Sequence, residues 1–259
     1  MSGQVAKKSR SPLGVKSRTT RRVAVITGAA SGIGLATTNL FLRKGIKVAA
    51  FDLNEPKSSS FAGMKFYKVN VSDNLAVKRA VRAVNRDFGG MDILVNSAGI
   101  DLRGTVTEMK IEEWKKVFDV NLYGTFIVSR HVIPYLIRRG GGSIINMTSV
   151  LGILPGPAAS AYCASKSGII SLTKSMALDY MKNKIRVNCV APGAIDTPMF
   201  WGANRKYAEL VKKGKYEDRL GTPEEIAQGI YFLASKETSS YVTGSVLTVD
   251  GGSTSGFRW

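Results

Sequence analysis

From residue 23 onward, short runs of apolar, often β-branched residues alternate with longer segments whose apolar residues recur every three or four positions. The short runs do not alternate in polarity, which is typical of strands covered on both faces of a sheet. Strand–helix–strand repetition of this kind predicts an α/β chain with a parallel sheet and helices on both faces. The predicted strands are Val23–Thr27, Lys47–Asp52, Lys65–Val69, Asp92–Asn96, Ser143–Met147, Arg186–Val190 and Val246–Val249.

The first 22 residues differ in composition from the rest of the chain. They contain seven Lys and Arg residues, no acidic residue and no apolar periodicity. Such a segment is typical of a solvated, flexible arm. No linker divides the remainder, so we expect residues 1–22 to be a basic arm and residues 23–259 to be one domain.

The net charge of +18 comes from 37 Lys and Arg against 19 Asp and Glu, and it allows association with anions. Nucleic-acid binding by the arm is therefore an alternative, but no zinc finger, RNA-binding signature or aromatic-interleaved basic stripe supports it. No run reaches the ~18 apolar residues that a membrane span needs. Cys163, Cys189 and the single His131 cannot complete a common zinc site. We expect a cytoplasmic protein without nucleic-acid, membrane or metal partners.

A glycine-rich loop follows the first predicted strand. Gly28 permits a tight turn, Gly32 permits close approach to a pyrophosphate, and Gly34 permits close packing of helix and sheet. A helix that begins near Ile33 would direct its N-terminal N–H groups and positive dipole end at phosphates, with Ser31 in the same loop. The spacing predicts a dinucleotide site in a Rossmann-like, doubly wound sheet of about seven strands.

The second predicted strand ends at Asp52, which stands 18 residues after Gly34. An acid about 20 residues beyond such glycines typically hydrogen-bonds the ribose 2′-hydroxyl. A carboxylate there would repel a 2′-phosphate, and Leu53 offers no arginine to reverse this preference. The pattern favours NAD over NADP.

Tyr162 and Lys166 are four residues apart, which places both side chains on one face of a helix. A neighbouring ammonium favours the phenolate and lowers the pKa of tyrosine, as a base near neutral pH requires. Ser149 lies 13 residues upstream, at the end of a predicted strand, where ligands bind in parallel sheets.

These motifs, in this order, resemble the short-chain dehydrogenase/reductase family over residues 22–252. Further matches are Asn96-Ser97-Ala98-Gly99, which resembles the family's Asn-Asn-Ala-Gly, Asn121 in the long helix after the fourth strand, Pro192-Gly193 with Thr197, and Val249-Asp250-Gly251-Gly252. The departures are Ser97, where the family has a second asparagine, and Asn70, where it often has aspartate.

The resemblance implies a mechanism. Tyr162 would exchange a proton with the substrate oxygen, Ser149 would position that oxygen, and Lys166 would bind the nicotinamide ribose. Asn121 would support a water that links Lys166 to solvent. It also implies cofactor contacts from Gly28, Ser31, Gly32, Ile33, Gly34, Asp52, Leu53, Asn70, Val71, Asn96, Ala98, Gly99, Tyr162, Lys166, Pro192, Gly193, Ile195 and Thr197.

The family's variable substrate lid corresponds to residues 194–220. The candidate substrate contacts are Ser149, Leu151, Tyr162, Arg103, Met199 and Trp201; Asp101 is close to Arg103 in the chain and is expected near the mouth of the site. The resemblance implies an NAD(H)-dependent oxidoreductase that interconverts a secondary alcohol and a ketone, and a homotetramer. The alternatives are a 3-oxoacyl-acyl-carrier-protein reductase and a nucleic-acid-binding protein that uses the basic arm.

Overall fold

The computed structural model describes residues 22–56, 62–203 and 219–256. The predicted basic arm, except for Arg22, lies outside the described residues. So does the larger part of the predicted substrate lid, at residues 204–218.

Seven strands of the described residues form one sheet in the order β3-β2-β1-β4-β5-β6-β7, and every pairing is parallel. The strands are β1 (Val23–Thr27), β2 (Lys47–Asp52), β3 (Met64–Lys68), β4 (Ile93–Asn96), β5 (Gly142–Met147), β6 (Ile185–Pro192) and β7 (Val246–Val249). The order reverses direction between β1 and β4, which is where ligands bind in doubly wound sheets. The predicted fold class is confirmed, and the predicted strand ends differ from the observed ones by at most two residues.

Helices cover both faces of the sheet. Successive strand residues point to opposite faces, and the helices bury them on each face. The helices are α1 (Gly32–Arg43), α2 (Asn74–Phe88), α3 (Ile111–Phe118), α4 (Gly124–Arg138), α5 (Ser160–Asp179), α6 (Pro198–Ala203), α7 (Pro223–Ala234) and α8 (Lys236–Ser239). One core joins residues of α2, α4 and α5 to strand residues such as Val25. The opposite core joins α1 and α7 to strand residues such as Ile26. Burial on both faces explains why the strands read as continuous apolar runs.

The long helix expected after the fourth strand, which carries Asn121, is interrupted in the structure. A π-helical segment at Asp119–Tyr123 separates α3 from α4. Such segments are rare and are frequently found at functional sites. The segment contains Asn121, which is fully buried.

Within the described ranges, no helix combines the length and the hydrophobicity needed to span a membrane. The same ranges contain no cluster of three or more His, Cys, Asp or Glu side chains suited to a metal ion.

Candidate active site

A cavity of about 1060 Å³ opens at the carboxyl ends of the central strands. It lies at the sheet's switch point, where the loops that follow several different strands come together. Most of the residues predicted from the sequence line it. They are Gly28, Ser31, Gly32, Ile33, Gly34, Asp52, Leu53, Asn70, Val71, Ala98, Gly99, Arg103, Ser149, Leu151, Tyr162, Lys166, Pro192, Gly193, Ile195, Thr197 and Met199.

The loop from β1 to α1 is packed so closely that two of its glycines have no room for a side chain. A Cβ on Gly34 would lie 2.0 Å from the Gly28 carbonyl oxygen. A Cβ on Gly28 would lie 2.9 Å from Cα of Ala98, and Gly28 has a φ of +66°. The loop therefore presents bare backbone to the cavity, followed at once by the N-terminus of α1, which is the arrangement that accepts a pyrophosphate.

Asp52 ends β2 at the edge of the cavity and is tied to the loop. Its carboxylate accepts hydrogen bonds from the backbone N–H groups of Ala30, at 2.9 Å, and Asn54, at 3.1 Å. The next side chain, Leu53, is 56% exposed and brings no positive charge. The bare loop, the helix N-terminus and this carboxylate fit the pyrophosphate and ribose of a nicotinamide dinucleotide.

Asn96, at the end of β4, is buried and does not line the cavity. Its amide donates to Asn146 Oδ1 at 2.8 Å and to Ser129 Oγ at 3.0 Å. These bonds link β4 to β5 and α4, so Asn96 supports the site from behind. The cavity wall itself is formed by Ala98 and Gly99 just beyond it.

Ser149, Tyr162 and Lys166 line the same cavity, although the sequence places Ser149 at the end of a strand and the other two on a helix. The Ser149 hydroxyl lies beside Tyr162 and lowers the pKa of its phenol, while Ser149 Oγ accepts a hydrogen bond from the Leu151 N–H at 3.1 Å. Lys166 Nζ lies 5.5 Å from the centroid of the Tyr162 ring and donates to the Met147 carbonyl at 2.8 Å. The three side chains thus share one cavity with the glycine-rich loop.

Burial dominates the ionisation of both groups on α5. It raises the pKa of Tyr162, and the nearby Asp101 carboxylate raises it further. Burial lowers the pKa of Lys166 to about 8, although the same carboxylate opposes the shift. The net shift at Tyr162 is therefore opposite to the one expected from the Lys166 charge alone, because loss of solvation penalises the phenolate more than the neighbouring charges stabilise it.

Asn121 does not line the cavity either, but it holds the adjacent chain. Its Oδ1 accepts from the Ile100 N–H at 2.8 Å, and its Nδ2 donates to the Ile100 carbonyl at 3.0 Å and to Ser165 Oγ at 3.1 Å. A Cβ on Gly99 would lie 3.2 Å from Asn121 Oδ1 and 3.5 Å from Lys166 Nζ, so the three residues are in close contact.

The cavity wall beside α6 differs from the sequence-based prediction at one position. Trp201 does not line the cavity, and its indole N–H donates to Asp196 at 2.7 Å. Phe200, which precedes it, lines the cavity instead. The turn of α6 that decides between the two is set by the Thr197 side chain, which accepts from the Phe200 N–H at 3.2 Å. No periodic pattern in the sequence distinguishes them.

Comparison with known proteins places the chain among oxidoreductases. A family model described as enoyl-(acyl carrier protein) reductase matches residues 28–254. The 3-oxoacyl-(acyl-carrier-protein) reductase FabG of Thermotoga maritima is 44% identical over 239 residues, which is 89% of this chain and 97% of that protein. The cis-4-hydroxycyclohexanecarboxylate dehydrogenase of Sinomonas cyclohexanicum is 35% identical over 241 residues, covering 90% and 96% of the two chains.

Among solved structures, the ligand-free aldohexose dehydrogenase of Thermoplasma acidophilum superimposes with a TM-score of 0.84 at 35% identity, over 92% of this chain and 96% of that one. The parallel sheet, the glycine-rich loop and these relatives define an oxidoreductase that works with a nicotinamide cofactor on hydroxyl or keto groups. The chain belongs to the short-chain dehydrogenase/reductase family.

Proposed function

We propose that the protein is an NAD(H)-dependent oxidoreductase that interconverts a secondary alcohol and a ketone, with Tyr162 as the general acid and base. One observation carries the proposal: Ser149, Tyr162 and Lys166 line one cavity together with the glycine-rich loop and Asp52. A proton-transferring group and a dinucleotide site thus share one space, as hydride transfer to a carbonyl requires.

The loop at Gly28–Gly34 and the N-terminus of α1 would hold the pyrophosphate, and Asp52 would hold the adenosine ribose. When bound, the cofactor supplies or accepts the hydride. Asp52 favours NAD because its carboxylate pairs with ribose hydroxyls and repels a 2′-phosphate, and Leu53 contributes no compensating cation. Lys166 would hold the hydroxyls of the nicotinamide ribose.

The proton is the part of the reaction that the chain itself handles. During alcohol oxidation, Tyr162 Oη would take the proton from the substrate hydroxyl, and during ketone reduction it would return that proton. Ser149 lines the same cavity as Tyr162 and would hold the substrate oxygen beside it. Acid–base catalysis of this kind typically contributes ~10²–10⁴-fold to the rate. Asn121 keeps the Ile100 backbone in place next to Lys166.

The second candidate is a 3-oxoacyl-acyl-carrier-protein reductase. The observation that favours it is the 44% identity to the Thermotoga enzyme of that name. The two candidates differ in cofactor and substrate. Assays with NADH and NADPH, each with a 3-oxoacyl thioester and with a panel of cyclic and polyhydroxylated secondary alcohols, separate them.

Tyr162→Phe tests the proton transfer. The variant loses the phenolic hydroxyl, so we expect turnover to fall by at least about 100-fold while NADH affinity, measured by fluorescence titration, stays within about twofold. Tyr241→Phe is the matched control, because Tyr241 is fully exposed and its variant should behave as the wild type. Wild-type turnover in Tyr162→Phe would refute the proposed role.

Asp52→Ser combined with Leu53→Arg tests the cofactor preference. The double variant removes the carboxylate and adds a cation, so we expect the ratio of kcat/KM for NADH over NADPH to fall by more than about tenfold. Leu53→Arg alone is the control, since it keeps the repelling carboxylate. An unchanged ratio would mean that Asp52 does not read the ribose.

Self-association and location complete the proposal. Large apolar side chains are exposed on and beside the helices after β4, among them Trp114, Tyr123 and Phe126. This surface supports assembly of copies of the chain, up to the expected homotetramer, which light scattering after gel filtration would measure. The free, buried thiols of Cys163 and Cys189 support a reducing, cytoplasmic location.

A further inference from the structure

An ion pair lies inside the cavity in addition to the three residues already discussed. Arg103 donates to Asp101 Oδ2 through Nε at 2.9 Å and through Nη2 at 2.5 Å. The side chains are only 6% exposed for Asp101 and 13% for Arg103, and both residues line the cavity. Burying two charges is costly, so a pair kept at this depth needs a reason other than stability.

The segment that carries the pair is fixed at both ends. At its start, Asn121 holds both backbone groups of Ile100. At its end, the Gly104 N–H donates to the Ala158 carbonyl at 2.9 Å, and Gly104 forms a parallel bridge with Ala159, directly before α5. The pair is therefore held in register with the helix that carries Tyr162.

Arg103 lies close to Tyr162. The guanidinium carbon is 5.9 Å from the centroid of the Tyr162 ring, almost as near as the Lys166 ammonium at 5.5 Å. Arg103 and Lys166 thus both approach the phenol ring of Tyr162. The Asp101 carboxylate, which holds the Arg103 guanidinium, also acts on Lys166. Arg103 lowers the pKa of Tyr162, whereas Asp101 raises the pKa of both Tyr162 and Lys166.

We propose that Asp101 and Arg103 are positioning residues for proton transfer: the guanidinium, aligned by the carboxylate, is a second cation at the Tyr162 ring, and the carboxylate cancels its charge. The inference rests on the proposed role of Tyr162. It assigns the pair an electrostatic role in the reaction, in addition to the roles proposed for Ser149, Tyr162 and Lys166.

Other charged and titratable groups near Tyr162 stay the same in the variants below. Cys163 is its neighbour on α5. The groups on α3 and the π-helical segment are exposed at the cavity rim, where solvent and salt screen them; they are Glu112, Lys115, Lys116 and Asp119. The buried pair is therefore the group whose removal should move the titration of Tyr162.

Asp101 and Arg103 shift the pKa of Tyr162 in opposite directions, so their variants should move it in opposite directions as well. Asp101→Asn removes the carboxylate and leaves the guanidinium uncompensated, so the pKa values of Tyr162 and Lys166 should both fall. Arg103→Gln removes the cation, so the pKa of Tyr162 should rise. The double variant has no net charge at these two positions, like the wild-type pair, so its Tyr162 pKa should lie between those of the two single variants.

The experiment is a pH profile of kcat/KM for oxidation of a secondary alcohol by the full chain with saturating NAD. We expect the midpoint of the rising limb to move by about one pH unit to lower pH in Asp101→Asn and by a similar amount to higher pH in Arg103→Gln. Arg103→Lys keeps a cation and should keep the wild-type midpoint. Melting temperature and NADH affinity of each variant show whether the fold and the cofactor site are retained.

Unchanged midpoints, or shifts in the same direction in both single variants, would overturn the inference. If Arg103→Gln does not fold, Arg103→Met preserves packing of the aliphatic stem and takes its place. If Asp101→Asn does not fold, Asp101→Ala takes its place. Failure of the proposed function has a different signature, because Tyr162→Phe would then turn over as the wild type does.

Discussion

Gly34→Ala replaces the third glycine of the glycine-rich loop with the residue that most favours helices. In an unconstrained helix this change stabilises by about 1 kcal/mol. In this protein the new Cβ would lie 2.0 Å from the Gly28 carbonyl oxygen and 2.7 Å from its carbon. Carbon atoms of side chains essentially never approach backbone within 3.0 Å, so Gly28 and α1 must separate by about 1 Å.

The loop is also tightly packed at Gly28. Gly28 contacts Ala98 so closely that a Cβ on Gly28 would lie 2.9 Å from Cα of Ala98. Overpacking of a rigid site typically costs about 1–3 kcal/mol, which equals or exceeds the gain in helix propensity. We expect a net destabilisation of up to about 2 kcal/mol and, because the proposed pyrophosphate cradle is displaced, a loss of NADH affinity greater than tenfold.

Urea unfolding gives the stability of Gly34→Ala, and quenching of protein fluorescence by NADH gives its affinity. Gly202→Ala is the matched control, because Gly202 also lies in a helix and a Cβ there meets nothing within 4 Å. A Gly34→Ala variant that is as stable as the wild type and binds NADH equally well would refute the close-packing argument.

Three further predictions concern the scaffold. Asn96→Leu removes the hydrogen bonds that the Asn96 amide donates to Asn146 Oδ1 at 2.8 Å and to Ser129 Oγ at 3.0 Å. Because both acceptors are buried, the free energy of unfolding in urea should fall by about 1–3 kcal/mol. Asp73→Ala removes the cap that accepts two backbone N–H bonds at the start of α2 and should cost about 1 kcal/mol in the same measurement. Hydrogen bonds from Arg219 and from the start of α7 lower the pKa of Glu225 to about 2 from its ordinary 4.5. The stability this contributes is present above pH 4.5 and is lost as the pH falls toward 2, so Glu225→Gln should flatten the acid side of the melting-temperature profile; an identical profile would contradict it.

Much of the fold and part of the site are predictable from the sequence because the relevant signals are local. Non-alternating apolar runs indicate strands buried on two faces, and these give the number of strands and the parallel sheet. The spacing from Gly34 to Asp52 spans one helix and one strand, so it predicts which strand end faces the loop. The four-residue spacing of Tyr162 and Lys166 is a property of a single helix.

Other features arise only when distant segments pack together. The choice of Phe200 over Trp201 as a cavity residue depends on one turn of α6 and on the partner that Trp201 finds in Asp196. The π-helical segment around Asn121 has no periodic signature, because one extra residue is accommodated by contacts with the loop after β4. Asn96 carries the family's motif, but its position behind the cavity depends on its bonds to other elements.

The sequence by itself determined the sheet, the glycine-rich loop and the identity of the groups proposed to transfer the proton, since each is encoded in spacings within one or two elements. Only the tertiary structure decided the charge environment of those groups. The pKa of Tyr162 is raised by burial, and the Asp101–Arg103 pair reaches its ring from a separate loop. Solvation and charge depend on every atom that surrounds a group, and crossovers between strands bring those atoms together from across the chain.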